Sequence, residues 1–178
     1  MVLTRGTNSP AAANIVARAV EQYNDLDEQR DVFESHRHHV FSVAYYMTGD
    51  EREAENVLQS TFLAAFNLHP RPSIELLDQQ LMGQLHARLS LTAVEPVQSA
   101  EGPGLGARNV KKTDLEEALW QLPARERLCF LLRDVEGYAP NRIAALLACP
   151  EGEVQKTVFS ARLRLRNLLV QQAPAVLD

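Results

Sequence analysis

Between Asp114 and Val170, apolar residues recur at helical spacing in four successive runs, and the last run carries a cluster of basic side chains. That order restricts the segment to short helices packed on one another. Leu115, Ala118, Leu119 and Leu122 form the first stripe; Leu128, Leu131, Leu132 and Val135 form a second after Pro123, a residue suited to a helix's first turn. Gly137 is the expected stop of the second helix, and Ile143, Leu146 and Leu147 make a short third that opens near Pro140 and Asn141. Cys149 and Pro150 then break the chain. From Glu151 a fourth helix places Val154, Val158, Ala161, Leu165 and Leu168 on its buried side and Gly152, Lys156, Phe159, Ser160 and Leu163 outward. Gln155, Arg162, Arg164 and Arg166 flank that outer face.

A short helix, a tight turn and a second helix with a polar outer face is the geometry that lays its second helix in the DNA major groove. From Val154 to Val170 the basic residues are Lys156, Arg162, Arg164 and Arg166, with no acidic residue among them. Such groups can neutralise phosphates and release counterions, the sequence-independent share of affinity. Base reading would fall to the start of the helix, where Gln155 can pair with adenine and Lys156 can reach guanine acceptors. The alternative is an amphipathic surface helix whose arginines are merely solvated.

The residues of this segment carry a family resemblance. The run Ala118-Leu119, Leu122-Pro123, Arg127, Leu131, Glu136-Gly137-Tyr138, Ile143-Ala144, Glu151-Gly152, Val154, Ala161-Arg162, Leu165-Arg166 resembles region four of bacterial sigma factors, specifically the extracytoplasmic-function (ECF) group. Upstream, His39 to Asp50 followed by Glu53 to Phe66 resembles sigma region two, in the order and spacing of the ECF architecture. The resemblance implies an all-α fold: two small helical domains, a region-two domain and a region-four helix-turn-helix, joined by a flexible linker. Expected boundaries are a loose N-terminal tail over 1–12, region two over 13–91, the linker over 92–112 and region four over 113–172.

The resemblance also implies function. A sigma factor binds core RNA polymerase and directs it to specific promoters to initiate transcription. Carried over position by position, the polymerase-docking face is Glu55, Asn56, Gln59, Ser60 and Leu63, and the DNA-binding set is Gln155, Lys156, Phe159, Ser160, Arg162, Arg164 and Arg166. Expected partners are core RNA polymerase, promoter DNA and, as is common in the family, an anti-sigma factor. The second reading is a sigma-like interaction protein that binds an anti-sigma factor or polymerase without opening promoters; a third is a helix-turn-helix repressor acting on duplex DNA alone.

Upstream residues support helices without the family. Phe33, Val40, Phe41, Ala44 and Tyr45 recur at helical spacing, Thr48-Gly49-Asp50 ends that helix, and Asp50 can cap the next. Glu51, Glu53 and Glu55 then fall near a helix start, where the macrodipole favours them, and Ala54, Leu58, Phe62 and Ala65 give a core face. Ile74, Leu77, Leu81, Leu85 and Arg88 fit a third helix.

Departures from the family pattern concern strand opening above all. Promoter melting depends on the part of region two after the docking helix, usually marked by aromatic and basic residues; here Pro70 to Ser90 contains no aromatic residue, so a stacking platform for unpaired bases is absent. Asn56 and Ser60 replace usual acids, which weakens two contacts to the polymerase clamp. In the last helix Glu153 stands where threonine is usual, Gln155 where lysine is usual, and Thr157 and Ser160 where basic residues are frequent, so the phosphate grip is reduced.

Composition excludes other classes. A chain of 178 residues that is 46% hydrophobic and 23% charged is globular, and the net charge of −5 disfavours indiscriminate DNA binding. Residues 1–100 hold seven basic and thirteen acidic side chains, a balance of −6; residues 101–178 hold eleven and ten, a balance of +1. Any grip on DNA is therefore local. No apolar stretch is long enough to span a membrane and no secretion signal is recognisable, so a cytoplasmic protein without membrane insertion is expected. Gly102, Gly104 and Gly106 lack the strand and the Gly-Lys-Ser/Thr that a phosphate loop needs. Cys129 and Cys149 are isolated and expected to be buried thiols. His36 and His39 share a helix face near Glu34, without a second ligand cluster, so no metal site and no cofactor are expected. Histidine titrates near neutrality, which leaves a pH-sensitive docking surface open. No nucleophile with a base and no carboxylate pair points to an enzyme.

Overall fold

A computed structural model describes residues 10–100, 104–107 and 109–172, and its elements there are helices and turns. Residues 1–9 of the expected N-terminal tail, Gly102 and Pro103 lie outside the described residues. Among the described residues seven α-helices occur in order: α1 Pro10–Thr48, α2 Glu51–Leu68, α3 Ile74–His86, α4 Lys112–Gln121, α5 Ala124–Phe130, α6 Pro140–Leu147 and α7 Glu151–Gln172. A 3₁₀ turn spans Leu105–Ala107. The all-α fold matches the expectation.

Helix ends obey local chemistry. Gly49 closes α1 at φ 71°, a conformation open to glycine, and the Asp50 carboxylate accepts the Glu53 N–H at 2.8 Å to cap α2. Ser73 caps α3 by accepting the Leu76 N–H at 3.3 Å. Pro140 occupies the first turn of α6, where its missing N–H costs nothing. The turn between α6 and α7 is made at Ala148, a non-glycine residue at φ 50° in the left-handed region.

α5 does not end as a regular helix. Leu131–Val135 form a π-turn, with the Glu136 N–H donating to the Leu131 carbonyl at 2.9 Å. The extra residue in that turn shifts the angular position of the side chains at its C-terminal end. Val135, in the expected apolar stripe, is therefore 56% exposed, while Leu131 and Leu132 stay buried. Leu115 at the start of α4 is exposed as well.

The two halves share one core. Val40, Val43 and Met47 of α1, Val57 and Phe62 of α2, and Leu77, Leu81 and Leu85 of α3 join a cluster that continues into Leu128, Leu131 and Leu132, into Ile143 and Leu147 of α6, and into Val154 and Val158 of α7. A second cluster holds Ala118, Leu119 and Leu122 against Ala161, Leu165 and Leu169 of α7. At the seam, Trp120 of α4 stands edge-on to Tyr45 of α1, ring centroids 6.0 Å apart.

The segment after α3 runs along α5 and α7. Leu91 is buried and its carbonyl accepts Arg125 Nη1 at 3.2 Å; the Glu95 carbonyl accepts Arg164 Nη2 at 3.1 Å; the Val97 N–H donates to Ser160 Oγ at 2.7 Å. These bonds use backbone groups that a loop would otherwise leave to water.

Candidate nucleic-acid and polymerase interfaces

α6 and α7, joined by the Ala148-Cys149-Pro150 turn, form a helix-turn-helix. α7 buries Val154, Val158, Ala161, Leu165 and Leu169, with Leu168 half-buried. Gln155, Lys156, Phe159 and Arg162 are exposed on the opposite arc. Phe159, 56% exposed, is the one large aromatic on that arc and offers an apolar contact of the kind a thymine methyl group takes.

The remaining residues of the expected DNA face are placed differently. Ser160 is not outward: it is fully buried, donating to Glu126 Oε1 at 2.7 Å while accepting from Val97. Helical periodicity puts it at the margin of the outer face, and the 91–99 segment closes over that margin. Arg164 turns to the same carboxylate, with Nε 2.8 Å from Glu126 Oε2, and Glu126 is itself 2% exposed. The pair satisfies a buried charge that would be costly alone. Arg162 donates through Nε at 2.8 Å and through Nη2 to the two oxygens of Asp134, an arrangement of the fork that matches a carboxylate. That partner raises the Arg162 pKa against a smaller opposing effect of burial. Arg166 is half-buried beside Asn167.

One departure from the family pattern finds its reason here. Glu153 pairs with Arg125 of α5 at 2.5 Å, so it ties α7 to the scaffold. Sequence reasoning missed Glu126, Arg125 and Asp134 as the groups that hold the polar side chains of α7, because each partner lies on another element, 28 to 38 residues away. A basic residue at helical spacing shows its face but not the carboxylate opposite.

On α2, Glu55, Gln59 and Leu63 recur at four-residue steps and are all exposed, Leu63 at 64%. Asn56 is exposed beside them and its side-chain amide donates to Glu53 at 3.3 Å; Ser60 is half-buried. The opposite side of α2 buries Ala54, Val57, Thr61, Phe62 and Ala65, so the expected docking residues make a surface stripe on a fixed helix. α3, where the melting segment is expected, turns Leu77, Asp78, Leu81, Met82 and Leu85 inward.

Similarity to known proteins falls on this frame. Residues 112–165, which span α4 to most of α7, match the family model for sigma-70, region 4. A relative, the ECF RNA polymerase sigma factor SigE of Mycolicibacterium smegmatis, is 25% identical over 165 residues, covering 80% of this chain and 62% of that protein. The chain is thus similar to sigma-70 region 4 over residues 112–165 and to an ECF sigma factor over 80% of its length. It spans 62% of that relative's length. The solved structure of the sigma factor RpoE in complex with the anti-sigma factor NepR from Bartonella quintana has the same fold, with a TM-score of 0.62 at 18% identity over 80% of this chain and 97% of that one. Sigma factors in general are transcription initiation factors and not enzymes.

Among the described residues no cluster of histidine, cysteine or carboxylate side chains is arranged to hold a metal, and no helix is long and apolar enough to cross a membrane. Cys129 is buried, and burial pushes its thiol up to about 12; Cys149 is half-buried, with burial again raising its pKa.

Proposed function

We propose that this chain binds core RNA polymerase and directs it to specific promoters. The observation that carries the proposal is the region-four match over residues 112–165, which coincides with the helix-turn-helix and its exposed arc of Gln155, Lys156, Phe159 and Arg162. Gln155 and Lys156 read base edges in the upstream promoter element and Phe159 contacts a base methyl group. Arg162, Arg164 and Arg166 approach phosphates once their internal partners release them. The α2 stripe of Glu55, Asn56, Gln59, Ser60 and Leu63 docks on core. In this reading the domain limits are 13–91 and 113–172, with 92–112 between them. The protein works in the cytoplasm, without a catalytic site of its own, and an anti-sigma factor is a further partner.

A second reading is favoured by α3. Its segment from Pro70 to Ser90 has no aromatic side chain for unpaired bases, which suits a sigma-like protein that binds polymerase or an anti-sigma factor without melting DNA. The first reading and the polymerase-binding form of the second share core binding and part at strand opening. Mixing the chain with purified core polymerase and measuring co-elution tests what they share. A complex that forms with the wild type and is weakened by Gln59→Ala supports docking through α2; no complex at any concentration refutes the first reading and leaves only a protein that binds an anti-sigma factor.

A further inference from the structure

His39 lies on α1 and is held by side chains from both halves of the molecule. Its Nδ1 is 2.7 Å from Glu136 Oε2, and its Nε2 is 3.2 Å from Asp78 Oδ1. Asp78, on α3 and 2% exposed, also accepts the Tyr138 hydroxyl at 3.0 Å and Arg142 Nη2 at 2.5 Å. Tyr138 Oη is in turn 3.1 Å from His39 Nε2, and the Arg142 guanidinium lies 4.0 Å over the Tyr138 ring. The charged groups around the imidazole are thus Asp78 from α3, Glu136 from the turn after α5, and Arg142 from α6, with Tyr138 as a neutral hydroxyl. Glu75 on α3 adds a negative charge that acts on Arg142.

A carboxylate oxygen facing each ring nitrogen is satisfied only by the doubly protonated ring, because a neutral imidazole carries a single N–H. Without the second proton, a nitrogen lone pair faces a carboxylate unless the Tyr138 hydroxyl turns toward Nε2. That turn takes a donor from the buried Asp78. We propose that His39 is a proton-dependent latch: its imidazolium fastens the Glu136–Tyr138–Arg142 corner of the region-four half to Asp78 of the region-two half, and its deprotonation loosens the seam.

Burial opposes the charged ring, yet the hydrogen bonds and charges of Asp78 and Glu136 outweigh it and raise the pKa above 6.5. Opening withdraws Glu136, so the open form binds the proton less tightly. The proton therefore favours closure fully below the open-form pKa, and the gain is lost as pH rises through the higher closed-form value. The latch is a property of the free chain, independent of what it later binds.

Trp120, the single tryptophan, sits at the same seam against Tyr45 and reports opening directly. Acrylamide quenching of Trp120 and the scattering radius of gyration are measured on the full chain from about pH 6 to about pH 8.5, with helix content monitored by circular dichroism. Quenching is expected to rise with pH, by roughly twofold or more across the range, while helix content holds, the direction that linkage of proton release to opening sets. His39→Gln, whose amide does not titrate, is expected to be flat, and Glu136→Gln to move the transition to lower pH. A wild type without pH dependence, an unchanged dependence in His39→Gln, or exposure that tracks loss of helix would each overturn the latch. If His39→Gln does not fold, an unmoved transition in Glu136→Gln does so.

Discussion

Ser160 on α7 donates its hydroxyl to the buried carboxylate of Glu126 on α5 at 2.7 Å. The same carboxylate holds Arg164 at 2.8 Å, so two residues of the expected DNA face serve as scaffold in the free chain. What remains exposed on the outer arc is Gln155, Lys156 and Phe159 with Arg162 at its edge, the surface proposed to read DNA. In the free chain the exposed residues of α7 are therefore distinct from those that fix the helix, and the two groups respond to different measurements.

Glu126→Ala tests the scaffold. Its removal leaves Arg164 without its carboxylate and the buried Ser160 hydroxyl without an acceptor, at a cost of about 1–3 kcal/mol. Urea unfolding monitored by circular dichroism reads the loss. A midpoint equal to that of the wild type would show that the carboxylate contributes nothing to α7's position.

Lys156→Ala and Arg164→Ala are expected to diverge. Lys156 is exposed and contacts no carboxylate among the described ion pairs, so its loss should leave stability within about 0.5 kcal/mol of wild type. In the polymerase complex it should weaken promoter binding by about 1–3 kcal/mol and relax specificity at the base pair it reads. Arg164→Ala should lower the unfolding midpoint. Equal destabilisation by both would contradict the division between reading and supporting residues.

Gln59→Ala and Leu63→Ala probe the α2 stripe. Leu63 is 64% exposed, so truncating it costs the fold little, within about 0.5 kcal/mol. Titration of labelled chain with core polymerase is expected to show weaker binding by roughly tenfold for Leu63→Ala, the loss of about 1.4 kcal/mol at a well-packed contact. Undiminished affinity would place the docking face elsewhere.

Ala148→Gly addresses the helix-turn-helix turn. At φ 50° an alanine bears the steric cost of the left-handed region, which glycine avoids. The substitution should raise stability by about 0.5–1 kcal/mol, read as a higher thermal midpoint. A lower midpoint would mean that the turn relies on the alanine methyl group for packing.

Much of the architecture was legible in the sequence because it is written locally. Thr48-Gly49-Asp50, Pro123, Gly137, Pro140 and Pro150 punctuate the chain, and their conformational preferences place the ends of most helices without reference to tertiary structure. The buried face of α7 was equally legible, since Val154, Val158, Ala161 and Leu165 repeat at its period. Val135 was not: the π-turn at Leu131–Val135 breaks the period that a regular helix assumes. Ser160 was not, because a small polar residue reads as surface until Glu126, 34 residues away, is seen beneath it. His39 was visible as a titratable group, but its partner Glu136 is 97 residues away and no spacing rule joins them.

Core-dependent transcription tests the central claim most directly. Purified core polymerase, the chain and a random promoter library are combined, and run-off transcripts are sequenced. Initiation is expected at a shared upstream motif only when both proteins are present, with the motif's readout altered by Gln155→Ala. Absence of core-dependent transcripts from every template, while the core complex still forms, would contradict promoter-directed initiation and leave the non-melting interaction protein.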